Sequence, residues 1–140
     1  LITLETLRKV EIFTGLSDEE LGLVMKFCEE IEVPAGFTLC AEGSRADKLF
    51  ILETGSVSIK FSKGVEFEIS TPGKILGWSF LVPPNRYTAS AITNSPSKLL
   101  VIKSPDFYAL VHQNTQMGLK IMDNLAQVVA KRMKAFVDLH

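Results

Sequence analysis

The sequence predicts a mainly β fold, an antiparallel barrel or sandwich of short strands with helices at both ends. Between residues 31 and 103, short β-like runs alternate with turns rich in Gly, Pro, Asn and Ser. No helical pattern separates those runs, which argues against parallel βαβ architecture. The flanking segments, 3–31 and 104–138, instead place apolar residues at helical spacing.

Taken in order, Leu4, Leu7 and Val10 keep one helical face, and Gly15 breaks it. Ser17 with Glu20 three residues on is a capping box that opens a second helix. Leu16 and Leu21 stand where a hydrophobic staple would form, and Leu21, Val24, Met25 and Cys28 give that helix its apolar face. The strand runs are 31–33, 38–40, 48–52, 57–61, 66–70, 87–93 and 98–102. Ser62-Lys63-Gly64 reads as a tight hairpin turn, while Gly36, Gly43, Gly55 and Gly73 fall at strand junctions and are read as fold residues. Ser104 is placed to cap a helix with Pro105 at its first position and Asp106 in its first turn; Phe107, Leu110 and Val111 form its apolar face. After Asn114 a longer helix runs to about Val137, weakened slightly by Gly118. Its apolar residues, Ile121, Met122, Leu125, Val128, Val129, Met133 and Phe136, form a wide stripe. One side suits the barrel and another a partner helix; packing on its own domain alone is the alternative.

Composition narrows the function. The chain has 140 residues, 46% apolar and 22% charged, enough for one core. Net charge is −1, which gives no basic surface for tracking phosphate backbones, and DNA binding by these residues is not expected. The apolar runs, such as 99–102, are too short to cross a bilayer, and residues 1–5 carry no basic n-region, so neither a membrane span nor a signal peptide is expected. Cys28 and Cys40 are read as small buried side chains in a cytoplasmic protein. His112 and His140 have no metal-ligand spacing with them, so no metal and no resident cofactor are expected. There is no P-loop, no nucleophile–base pair and no histidine on a strand run as a cupin-type enzyme would need; the chain is not expected to be an enzyme.

Several segments in order resemble a known family. Pro34-Ala35-Gly36-Phe37-Thr38-Leu39-Cys40-Ala41-Glu42-Gly43 resembles the opening of the cyclic-nucleotide-binding domain, of the catabolite-activator and protein kinase A regulatory-subunit type. So does Ala46-Asp47-Lys48-Leu49-Phe50-Ile51-Leu52-Glu53-Thr54-Gly55-Ser56-Val57, and Ile12-Phe13-Thr14-Gly15-Leu16-Ser17 fits the approach to its barrel. Gly73-Lys74-Ile75-Leu76-Gly77, followed nine residues later by Arg86, looks like its phosphate-binding cassette. The resemblance implies one domain over 1–140, an eight-stranded antiparallel jelly roll (a double-stranded β-helix) with N-terminal helices and two C-terminal helices. It also implies a regulatory, non-enzymatic role, with Gly77, Trp78, Ser79, Phe80, Arg86, Tyr87 and Thr88 as the ligand-binding residues.

The cassette departs from the family pattern. Where binding members carry Gly-Glu-Leu-Ala-Leu, this chain has Gly77-Trp78-Ser79-Phe80-Leu81. The family's Glu accepts the ribose hydroxyl; an indole has a donor and no acceptor, so weakened affinity for cyclic AMP and cyclic GMP is implied. Trp78 is read as core or as a lid rather than a stacking platform. Arg86 keeps the planar fork suited to a phosphate, and Tyr87 replaces a small residue. By alternation Arg86, Thr88 and Ser90 share a face, a polar strip if that face lines the barrel. The last helix would bring Phe136 and Val137 near the base, with Arg132 one turn earlier. The expected partner is a cyclic nucleotide or related small anion, and the alternative is a degenerate member serving as a protein-interaction or dimerisation module. A homodimer through helix 115–137, by Ile121, Leu125, Val128 and Arg132, is expected. The helix-turn-helix that many bacterial relatives carry is not within these residues.

Overall fold

Local chemistry starts the first elements. Ser17 Oγ accepts the Glu20 N–H at 3.2 Å and Glu20 Oε1 accepts the Ser17 N–H at 2.9 Å, so the expected capping box is closed. It opens α2 (Asp18–Met25), which follows α1 (Leu4–Arg8) and a 3-10 turn, Glu11–Phe13. The computed structural model describes residues 1–138, with side chains through Ala135.

The strands are β1 (Glu29–Val33), β2 (Thr38–Cys40), β3 (Lys48–Thr54), β4 (Val57–Lys60), β5 (Glu66–Ile69), β6 (Ile75–Leu76), β7 (Ser90–Thr93) and β8 (Ser97–Lys103). A 3-10 turn, Trp78–Leu81, lies between β6 and β7; α3 (Ser104–Gln113) and α4 (Thr115–Asp138) follow β8. The strands form two antiparallel four-stranded sheets, β1-β8-β3-β6 and β2-β7-β4-β5. Paired strands are mostly distant in sequence, which is the jelly-roll pattern that the resemblance implied.

The largest differences from the sequence reading are at β1, β6 and β7. β1 starts at Glu29 because Glu29 and Glu30 pair with Val101 and Leu100 of β8. β6 was not foreseen: two residues are too few for any periodicity to show, and pairing with Phe50 and Ile51 defines it. The run 87–93 is regular only from Ser90; before that, Arg86 makes an isolated bridge to Arg45. Ser104 is not the cap of α3. β8 runs straight into the helix, Lys103 takes the cap position without a side-chain bond, and the Ser104 N–H donates to the Asp47 carbonyl at 2.8 Å.

β3 and β8 are buried almost throughout; they are the inner strands of the first sheet, and α3 packs against β8. Asn114 starts α4, its Oδ1 accepting the Met117 N–H at 3.1 Å. Asn124 then ties α4 to the N-terminal turn, donating to the Ile12 and Thr14 carbonyls at 3.0 and 2.8 Å. Gly118 marks the closest approach of α3 and α4, where a Cβ would lie 2.0 Å from the Val111 carbonyl oxygen. Ile121, Leu125 and Val128 are buried within this fold, which corrects their assignment to a partner helix; they pack on their own core. Among the described residues no helix is long and apolar enough to cross a membrane.

Candidate functional site

Cross-strand register lays the floor of a cavity. Phe67 of β5 faces Ile59 of β4, Ile59 faces Ala91 of β7, and Ala91 faces Cys40 of β2. Residues directly opposite point to the same side, and all four line a cavity of about 680 Å³. Strands usually fill such a face with branched or aromatic side chains. Ala89, Ala91 and Cys40 do not, and the two sheets keep a hollow between them.

The opposite wall comes from β6 and the turn after it. Leu76, Gly77, Trp78 and Ser79 line it, and α4 lays Val129, Arg132, Met133 and Ala135 across the mouth. Gly77 is held at φ +87°, and a Cβ there would meet the Lys48 carbonyl oxygen at 2.9 Å. Only glycine fits without strain, so the turn into Trp78 depends on it. The indole of Trp78 lies under the Arg132 guanidinium, 4.9 Å from ring to Cζ. Arg132 donates to the Ile75 carbonyl and, at 2.9 Å, to Glu11 Oε2. The same Glu11 oxygen accepts the Ile75 N–H at 2.7 Å, while Glu11 Oε1 lies 3.5 Å from Lys74 Nζ.

The sequence-predicted residues divide. Gly77, Trp78, Ser79, Tyr87 and Thr88 line the cavity; Phe80 and Arg86 do not. Phe80 is buried on the other side of its turn, edge-on to Phe107 and Tyr108 with centroids 5.5 and 6.0 Å away. Arg86 is exposed and donates to the Gly43 carbonyl at 2.9 Å. Alternation has the predicted period and the opposite phase: Tyr87, Ala89, Ala91 and Thr93 face inward, and Arg86 and Thr88 are exposed. Thr88 and Ser90 line the cavity but Arg86 does not, so no polar strip with Arg86 is formed. The Tyr87 hydroxyl is already engaged, donating to the Lys48 carbonyl at 3.0 Å and accepting the Lys48 N–H at 3.1 Å. Burial raises its pKa and pushes the Cys40 thiol up to about 11, so both stay neutral near pH 7. The side chains of Phe136 and Val137, and His140 altogether, lie outside the described residues.

Sequence reasoning named Lys74 and Arg132 but not as charges lining the cavity, and it missed the two alanines. The signal for the alanines was present: Ala-x-Ala on a strand run, where β-branched residues are usual. Among the described residues there is no cluster of His, Cys, Asp or Glu that could hold a metal.

The fold and the cavity define a class: a jelly-roll domain whose hollow, within the usual 300–1,000 Å³ of ligand sites, is covered by its own last helix. The chain belongs to the cyclic nucleotide-binding domain family, whose model matches residues 30–114. A putative cyclic nucleotide-binding protein from Geobacter metallireducens superposes with a TM-score of 0.81 at 32% identity, over 95% of this chain and 99% of that one. Glutaminase 2 of Bradyrhizobium diazoefficiens is 31% identical over 126 residues, 89% of this chain but 20% of that protein. The cyclic AMP receptor protein of Thermus thermophilus is 24% identical over 127 residues, 88% of this chain and 57% of that protein. The chain thus spans about a fifth to somewhat over half of these curated relatives.

Proposed function

We propose that residues 1–140 form a non-enzymatic sensor domain, acting in the cytoplasm, that binds a cyclic nucleotide or a related small anion in the cavity under α4. One observation carries this reading: α4 supplies part of the cavity's wall, so occupancy changes what the helix packs against. A ligand that favours one position of α4 would shift the balance between two states. In this reading the cassette contributes Gly77 and its turn, and cyclic AMP and cyclic GMP bind weakly. Trp78 offers no acceptor to a ribose hydroxyl, and the loss of that charge-assisted bond, about 1.5–3 kcal/mol, is about one to two orders of magnitude in affinity. Arg86 must also leave the Gly43 carbonyl before it can reach a phosphate in the cavity.

Calorimetry with both nucleotides tests this, on the parent chain, Arg86→Leu and Trp78→Glu. Weak binding that Arg86→Leu abolishes and Trp78→Glu strengthens is the expected result. Submicromolar binding by the parent would refute it.

A second reading, a homodimer, rests on a stripe of α4 that meets the cavity's lining at Val129 and Met133. Leu119, Met122 and Met133 are 64%, 39% and 64% exposed, and with Ala126 and Val129 they repeat at three- and four-residue spacing. That is a seam for a second helix. Light scattering should give a dimer mass that Leu119→Glu with Met122→Glu reduces to a monomer; a monomeric parent at high micromolar concentration would refute it.

A further inference from the structure

We propose that the ligand this cavity is built for is an amphipathic organic anion, an aromatic or aliphatic body carrying one carboxylate, with its charge held by Lys74 and Arg132. The inference rests on the ligand-sensing reading above and names the class of ligand. Ile59, Phe67, Ile69 and Leu76 present only hydrocarbon to the cavity's interior. Among the described residues, a nucleotide's hydroxyls and base edges would find aliphatic side-chain hydroxyls only at Ser70, Thr71, Ser79, Thr88 and Ser90, whereas an apolar body loses nothing against the hydrocarbon walls.

Among the described residues, three charged side chains line the cavity: Glu68, Lys74 and Arg132. Glu68 alternates to the exposed face of β5, opposite Phe67 and Ile69. Lys74 and Arg132 share one carboxylate, Glu11, which stands behind them outside the cavity. Two cations against one carboxylate leave a surplus positive charge on the wall. It adjoins the ring of Trp78, so a site for an apolar body and a site for an anion are neighbours. A ligand carboxylate competes with Glu11, first for Lys74, whose contact is the longer at 3.5 Å against 2.9 Å for Arg132.

The test compares 2-naphthoate with its uncharged isostere, 2-naphthamide, by calorimetry and by the indole N–H resonance of Trp78, the single tryptophan. The acid should move that resonance and bind at least about tenfold more tightly than the amide, the size of one charge-assisted bond. Lys74→Gln and Arg132→Gln should each remove that difference. Glu11→Gln, which can still accept the Ile75 N–H, should tighten naphthoate by about tenfold; Arg86→Leu should change nothing. Melting curves identify any variant that fails to fold, and Lys74→Gln carries the test if Arg132→Gln unfolds. Equal binding of acid and amide, weaker binding in Glu11→Gln, or loss confined to Arg86→Leu would each overturn the inference. Cyclic AMP binding without naphthoate binding overturns it and leaves the sensor reading standing. If neither compound moves Trp78, both fall.

Discussion

Gly118→Ala should destabilise the fold, although alanine is the better helix former by about 1 kcal/mol. The new Cβ would sit 2.0 Å from the Val111 carbonyl oxygen and 2.9 Å from its carbon, where ordinary contact begins near 3.4 Å. A backbone carbonyl in α3 cannot swing aside as a side chain can, so α3 and α4 must part by more than an ångström. Their shared core goes with them: Leu110, Met117 and Ile121 are each 0% exposed. Overpacking of this kind costs about 1–3 kcal/mol and occasionally more. Set against the propensity gain, the net loss should be up to about 2 kcal/mol, or up to about 7 °C in melting temperature for a chain of this size. Urea denaturation and thermal melting followed by circular dichroism measure both quantities. A Gly118→Ala protein that melts at or above the parent would refute the reasoning and restore the sequence view of Gly118 as a plain weakness in the helix.

Leu125→Glu should abolish cooperative folding, because it puts a carboxylate where the side chain is 4% exposed; a native melt for that variant would mean the buried face of α4 is wrongly assigned. Burial, with Glu30 adding to it, pushes the Glu53 carboxyl up to about 7 from an ordinary 4.5. Its proton is therefore kept in the folded state and released first by the unfolded chain, so the stability it contributes is complete below 4.5 and lost as pH rises through about 7. Melting temperatures measured across that window should fall with pH for the parent more than for Glu53→Gln, and parallel curves would refute the assignment. Ser17→Ala should lower stability by about 1 kcal/mol in urea titrations through loss of the capping box; an unchanged midpoint would count against it.

How legible the molecule is in its sequence depends on how local each determinant is. Caps and turns are local, so Ser17, Gly64 and the ends of β3 and β4 could be placed within a residue or two. The short β6 exists only because Phe50 and Ile51 lie beside it, and Glu29 joins β1 only because Val101 offers it a partner. Arg86 illustrates a different gap. Its motif position was readable, but which side of the strand faces the hollow is a matter of phase, settled when Tyr87 turns inward to bond the start of β3. Arg132 entered as a neighbour of the lid residues and as a dimer contact, not as a cavity cation. Its partner Glu11 lies 121 positions away, a distance no spacing rule spans.

That same separation bears on the order in which the chain assembles. The turn holding Glu11 is made well before its partners on α4, since Arg132 and Asn124 follow Glu11 and Ile12 by 121 and 112 positions. β1 waits in the same way for β8. Long-range closures of this kind slow folding, because loop entropy is lost before the contacts form. A chain still emerging from the ribosome would therefore expose Ile12 and Phe13, both buried in the finished fold, until α4 arrives to cover them. The helix that covers the cavity is thus also the last piece needed to shelter the first, and interrupting translation before Asn124 should yield an aggregation-prone fragment rather than a smaller folded one.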